Sequence, residues 1–185
     1  MKTYLLLIAF LPIGILAQKN LTNENSADLL KKGIELFDKE SYEEAITLFS
    51  KVNINDTNYA VAQYETALSH INLEKYVVAQ GILKDLLDYP IKYNFKQKVY
   101  MQLGNAYDLN KQHEEALAIY TEGLKYYPHQ HNLLYNRGIC YESLKEFDKA
   151  IADYQAAILG NIYHSNSHLR LGIVATNFFS ILFAV

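Results

Sequence analysis

One cysteine and six histidines are the side chains in this sequence best suited to ligate a transition metal such as zinc through sulfur or nitrogen. Cys140 has no second cysteine with which to close an intrachain disulfide. It falls in the middle of a helical pattern, where a free cysteine reads as a buried, inert thiol. His129, His131, His164 and His168 fall in two connecting segments, and two of them could share an ion. Zinc requires about four ligands at roughly 2 Å, and nothing in this spacing fixes such a set, so they read as loop histidines. The chain has no glycine-rich phosphate loop, no cysteine pair, no His-Glu-x-x-His and no serine in a nucleophile-elbow context. The expectation is a protein that is not an enzyme, carries no cofactor or metal and takes no small-molecule substrate. Asn20-Leu21-Thr22 and Asn55-Asp56-Thr57 are glycosylation sequons, which matter only where the source has that machinery.

These residues sit in a chain of 185 residues, enough for one modest domain or a short repeat array. It is 50% hydrophobic and 20% charged, a globular rather than a disordered composition. The net charge of −3, with no long run of Lys or Arg, argues against nucleic acid as a partner. Only 3 prolines occur, so helices can run uninterrupted.

The amino terminus reads as an export signal. Met1-Lys2-Thr3-Tyr4 precedes the apolar stretch Leu5 to Leu11, then come Pro12, Gly14 and Ile15-Leu16-Ala17-Gln18. This is a short positive start, an apolar segment of signal-peptide length and a small residue before a cut after Ala17. A membrane-spanning helix needs about 20 apolar residues, which this stretch lacks. Residues 1–17 are therefore expected to be a signal peptide and 18–25 a polar lead-in. The location expected is the periplasm, the cell surface or the medium.

Internal self-similarity supplies the elements. Small residues recur at Gly33, Ala67, Gly104, Gly138 and Gly172, at intervals of 34, 37, 34 and 34. A second small residue follows the first four by 12, at Ala45, Ala79, Ala116 and Ala150. Two registers with one shared spacing mark pairs of antiparallel helices whose crossing points admit no large side chain. Leu36, Tyr107 and Tyr141 lie three residues beyond the glycines on the same helical face. Phe49, Leu83, Tyr120 and Tyr154, four beyond the second small residue, are expected to reach the next repeat. Ser41-Tyr42-Glu43-Glu44 reads as a capping box, and Asp88 to Asn94, three residues beyond the period, as an extended exit loop.

On these residues the chain resembles the tetratricopeptide-repeat (TPR) family over roughly residues 26 to 178. The clearest segments are Tyr100 to Tyr107 with Glu115 to Tyr120 and Pro128, and Leu134 to Tyr141 with Ala150 to Tyr154. The resemblance implies an all-α, right-handed TPR-type solenoid of antiparallel helix pairs. Four repeats would span 26–59, 60–96, 97–130 and 131–164, and residues 165–185 would be an incomplete fifth with an atypical apolar end. Repeat arrays normally finish on a helix with a polar outer face. Asn177 to Val185 is instead apolar, which predicts either a truncated end or a docking helix that joins copies of the chain.

In this family the first helices of successive repeats line a concave groove. Helical spacing places Leu30, Ile34 and Phe37 of repeat one and Tyr64, Leu68 and Ile71 of repeat two on the inward stripe. The stripe turns polar in repeat three, with Asn105 and Asp108. Related domains grip a peptide's terminal carboxylate with two Asn, two Lys and one Arg. Asn105, Asn136 and Arg170 match that pattern, whereas Met101 and Asn166 stand where the lysines should be. The resemblance thus implies a scaffold that binds a protein or peptide in its groove. The alternatives are the front portion of a longer sensor or enzyme, and a structural protein that self-assembles through residues 177–185.

Overall fold

The computed structural model describes residues 25–183, with side chains through Thr176. Residues 1–24, which carry the expected signal peptide and nearly all of the lead-in, lie outside the described residues, as do the side chains from Asn177 onward. Among the described residues nine helices follow one another: α1 (Ser26–Phe37), α2 (Tyr42–Phe49), α3 (Tyr59–Asn72), α4 (Tyr76–Asp88), α5 (Tyr93–Leu109), α6 (His113–Tyr126), α7 (His131–Ser143), α8 (Phe147–Gly160) and α9 (Ser165–Phe183). No described strand interrupts them. Each helix packs on its neighbours in sequence, and α1, α3, α5, α7 and α9 also touch one another in turn. No such contact joins α2, α4, α6 and α8. The first helices are therefore the more closely spaced row, and they form the inner wall of the stack. The fold is an all-α TPR-type solenoid. No helix among the described residues is long and apolar enough to cross a membrane.

The glycine register works by close approach. A Cβ on Gly33 would lie 2.3 Å from the Phe49 ring, and one on Gly104 would lie 2.3 Å from the Tyr120 ring. One on Gly138 would lie 2.6 Å from Tyr154. Each ring therefore rests on the glycine of its own repeat. Tyr120 also belongs to the core cluster that includes Leu133 and Cys140 of the following repeat. Gly172 has the same register, and a Cβ there would meet nothing within 4 Å among the described residues.

The turn between the two helices of a repeat is built identically four times. Glu40, Glu74, Lys111 and Lys145 adopt positive φ near 60°. The next residue's amide then reaches back five residues, as in Ser41 N–H to Leu36 O at 2.9 Å. This geometry overrides the expected capping box. Ser41 does stand at the N-cap of α2, but its ψ of 64° is not extended and its side chain makes no capping bond.

The three extra residues of repeat two lengthen a helix as well as a loop. Tyr89–Lys92 is the connection, and α5 starts at Tyr93, giving it 17 residues. Its added first turn is held by Tyr127, whose hydroxyl donates to Tyr93 O at 2.6 Å, and by Phe95 packed 5.2 Å from Tyr64. At the other end, α9 continues as one helix of 19 residues through the place where a repeat turn would fall.

Candidate functional site

The inward stripe divides into two unlike halves. In repeats one and two its apolar residues largely join the interior. Leu30 and Tyr64 are each only 8% exposed and belong to core clusters. Phe37 packs against the first cluster and sets its ring edge-on to Tyr42 at 5.2 Å, while Leu68 and Ile71 pack against the second. Ile34 is the most open of the six. The expected apolar surface is thus mainly helix-to-helix packing, because neighbouring inner helices close over it.

In repeats three and four the stripe encloses a cleft of about 210 Å³ lined by Asn105, Asp108, Leu109, Tyr120, Asn136 and Ile139. Its polar groups form a chain. Asn136 Nδ2 donates to Asn105 Oδ1 at 2.9 Å, and Tyr120, from under Gly104, donates its hydroxyl to the same oxygen at 2.7 Å. Asn105 Nδ2 donates in turn to Gln102 Oε1 at 3.1 Å. Burial raises the Tyr120 phenol well above its ordinary range, with Asp108 contributing, so this hydroxyl stays a donor.

The structure therefore brings Asn105 and Asn136 together and leaves Arg170 outside their chain. Arg170 Nη1 lies 3.5 Å from Glu142 Oε2, and Glu142 also accepts the Tyr154 hydroxyl. Asp108 sets a carboxylate on the cleft wall, which favours peptide N–H groups and cationic side chains over a terminal carboxylate.

Beneath the cleft lies a feature that spacing did not reveal. Asp108, near the end of α5, sets Oδ1 2.6 Å from Nδ1 of His113, the first residue of α6. Cys140 in α7 is fully buried and donates its thiol to His113 O at 3.2 Å. Burial first, and Asp108 second, push the Cys140 thiol up to about 12, so it is no nucleophile at neutral pH. The sequence did hold a signal. His113 occupies the register position that carries Tyr42, Tyr76 and Phe147 in the other repeats.

The histidines weighed from the sequence do meet. The His131 and His164 rings lie 5.0 Å apart. Both nitrogens of His164 are engaged, Nδ1 with Ser167 Oγ at 2.6 Å and Nε2 with Asn132 Oδ1 at 3.2 Å. His168 Nε2 donates to Ile162 O at 2.9 Å. His164 thus ties α7 to α9, and His168 holds the start of α9 onto the preceding loop.

Sequence comparison identifies two of the repeats directly: residues 97–130 and 131–159 each match the tetratricopeptide repeat. The chain carries TPR repeats. Among solved structures it is similar to residues 41 to the end of MamA from Desulfovibrio magneticus RS-1, with a TM-score of 0.66 and 18% identity over 82% of this chain and 84% of that one. It is likewise similar to TTC0263, a TPR protein of Thermus thermophilus, with a TM-score of 0.65 and 23% identity over 83% of each chain. A third is YrrB, described as a TPR protein with an unusual peptide-binding site, with a TM-score of 0.61 and 16% identity over 84% of this chain and 79% of that one. At these identities the likeness is one of fold. No protein of curated function matches the sequence.

Proposed function

We propose that this chain is a non-catalytic scaffold that holds an extended peptide segment of a partner protein in the inner groove of repeats three and four. The observation that carries the reading is the Asn105–Asn136–Tyr120 chain on the wall of an open cleft, where amides stand ready to exchange their mutual hydrogen bonds for those of a peptide backbone. The Asp108 carboxylate on the wall selects a segment with Lys or Arg near its contact residues and no carboxylate there. YrrB shows that the fold can carry a peptide site. Export belongs to the same proposal, on the strength of the signal-like residues 1–17. Self-association is a second reading. Leu159, Tyr163 and Leu169 are 89%, 87% and 64% exposed, and a second copy seated on them would sediment as a dimer.

Peptides selected from a random library on the purified chain test the groove. Those selected should be enriched in basic residues and should lose about tenfold in affinity for Asn136→Ala, the worth of roughly one hydrogen bond. Ile34→Ser should leave their affinity unchanged. Equal affinity for Asn136→Ala, or selection of acidic carboxy-terminal peptides, would show the groove reading to be wrong.

A further inference from the structure

The Asp108–His113–Cys140 cluster has the composition and convergence of a metal site. One ligand atom from each residue lies within 4.8 Å of the other two. Asp108 and His113 are about one-fifth exposed, at 23% and 22%, and Asp108 also lines the cleft, so an ion has a path in. Cys140 closes the inner side at zero exposure.

The repeat supplies its own control. At the equivalent positions, the junction of repeats one and two carries Phe37, Tyr42 and Ser69. That of repeats two and three carries Ile71, Tyr76 and Ala106, and that of four and five carries Glu142, Phe147 and Val174. Packing accepts aromatic, aliphatic and small residues at these places, and repeat four carries a carboxylate, Glu142, at the first of them. Only at the junction of repeats three and four are all three replaced, and each by a side chain able to ligate. A structural requirement shared by the junctions does not explain that coincidence.

We propose that Asp108, His113 and Cys140 bind one divalent cation of the zinc class between repeats three and four. The chemistry of the set selects the ion. Thiolate with imidazole suits zinc or cobalt and disfavours calcium and magnesium, which require mostly oxygen ligands. Binding replaces the Cys140 thiol proton, which is released to solvent, and separates His113 from Asp108. Cys140 thiolate, neutral His113 and the Asp108 carboxylate then balance the two charges of the ion, so no net charge is buried. Tetrahedral bonds of about 2.0–2.3 Å hold ligand atoms about 3.3–3.8 Å apart, so the set must close by about 1 Å. His113 at a helix start and Asp108 near a helix end flank the Leu109–Gln112 segment and can supply that movement, while Cys140 in mid-helix stays fixed. The fourth position faces the cleft and is left for water. Ion binding would stiffen the wall that Asn105 and Asn136 share, yet the inference stands without the peptide reading, because its readouts use no peptide.

The test is titration of the metal-free full chain with Co²⁺ and with Zn²⁺. The expected results are a thiolate-to-cobalt charge-transfer band at one equivalent, release of one proton, and a higher Tm with zinc. Two variants borrow residues that the array already uses at these positions and so keep the fold: Cys140→Ala, after Ala106, and His113→Tyr, after Tyr76. Cys140→Ala should abolish the charge-transfer band. Both variants should bind zinc more weakly by more than the roughly 10–100-fold that loss of an outer-sphere partner costs. Absence of the band in the unaltered chain would overturn the proposal. So would a zinc-induced rise in Tm that survives undiminished in Cys140→Ala, which would put the ion at another site.

Discussion

Repeats one and two and repeats three and four share one backbone plan and use its inner stripe differently. In the first pair the stripe is apolar, and Leu30 and Tyr64 disappear into the helix-to-helix interface. In the second pair Met101 and Tyr135 take the places of Leu30 and Tyr64, Asn105 and Asp108 take those of Leu68 and Ile71, and Asn105 bonds to Asn136 beside the stripe on the wall of a cleft. Apolar side chains gain by closing over each other, whereas amides and carboxylates lose solvation if they do. The comparison teaches that an apolar stripe on an inner helix is poor evidence of an open groove. A polar stripe with internal partners is better evidence, since such partners are exchangeable.

Three measurements would break or sharpen the contrast. The largest effect is expected from Phe49→Ala, which empties the place over Gly33 where the interior is purely apolar. It should cost about 3–5 kcal/mol in denaturant unfolding. The companion Tyr120→Phe keeps the ring over Gly104 and removes only the bond to Asn105, costing about 1 kcal/mol. If the two cost the same, the halves do not differ in what holds them.

Next comes the ion pair peculiar to repeat four. Arg137 forks to Asp153, with Nε and Nη2 each 2.7 Å from a carboxylate oxygen. Repeat three holds Leu103 and Ile119 at the same two positions. Asp153→Ala leaves a half-buried guanidinium unpaired and should cost about 3 kcal/mol, whereas the double change Arg137→Leu with Asp153→Ile should be close to neutral. Chemical denaturation of the three variants reads this directly, and a double variant as unstable as the single one would refute it.

The smallest effect concerns pH. Burial, with His131 and His168 alongside, lowers the His164 pKa from its ordinary 6.5. The unfolded chain then takes the proton more readily than the folded one. The stability contributed is complete above about pH 6.5 and falls as pH drops through the folded value. The Tm should decline as pH falls below about 6.5, and less steeply in His164→Gln. The corresponding residue at the junction of repeats one and two is Tyr59, packed 5.3 Å from Tyr89.

Much of the fold was legible because its determinants are periodic. Gly33, Gly104 and Gly138 announce close crossings by their spacing alone, and the rings that fill them follow 16 residues later. The left-handed turn residues were not legible, since Glu40, Glu74, Lys111 and Lys145 are not glycines, and only the repeated bond geometry forces them into that region. The fate of the three extra residues of repeat two was equally hidden, because Tyr93 and Phe95 are drawn into helix by contacts with Tyr127 and Tyr64.

The sequence by itself determined the all-helical repeat, the places where helices cross and the change from apolar to polar along the inner stripe, because each depends on residues at fixed local spacing. Only the tertiary structure decided which stripe residues remain reachable. It also decided that Glu142 takes Arg170 away from the asparagines, and that Asp108, His113 and Cys140 converge. Those outcomes depend on how three helices from two repeats approach one another, a distance that no single helical period encodes.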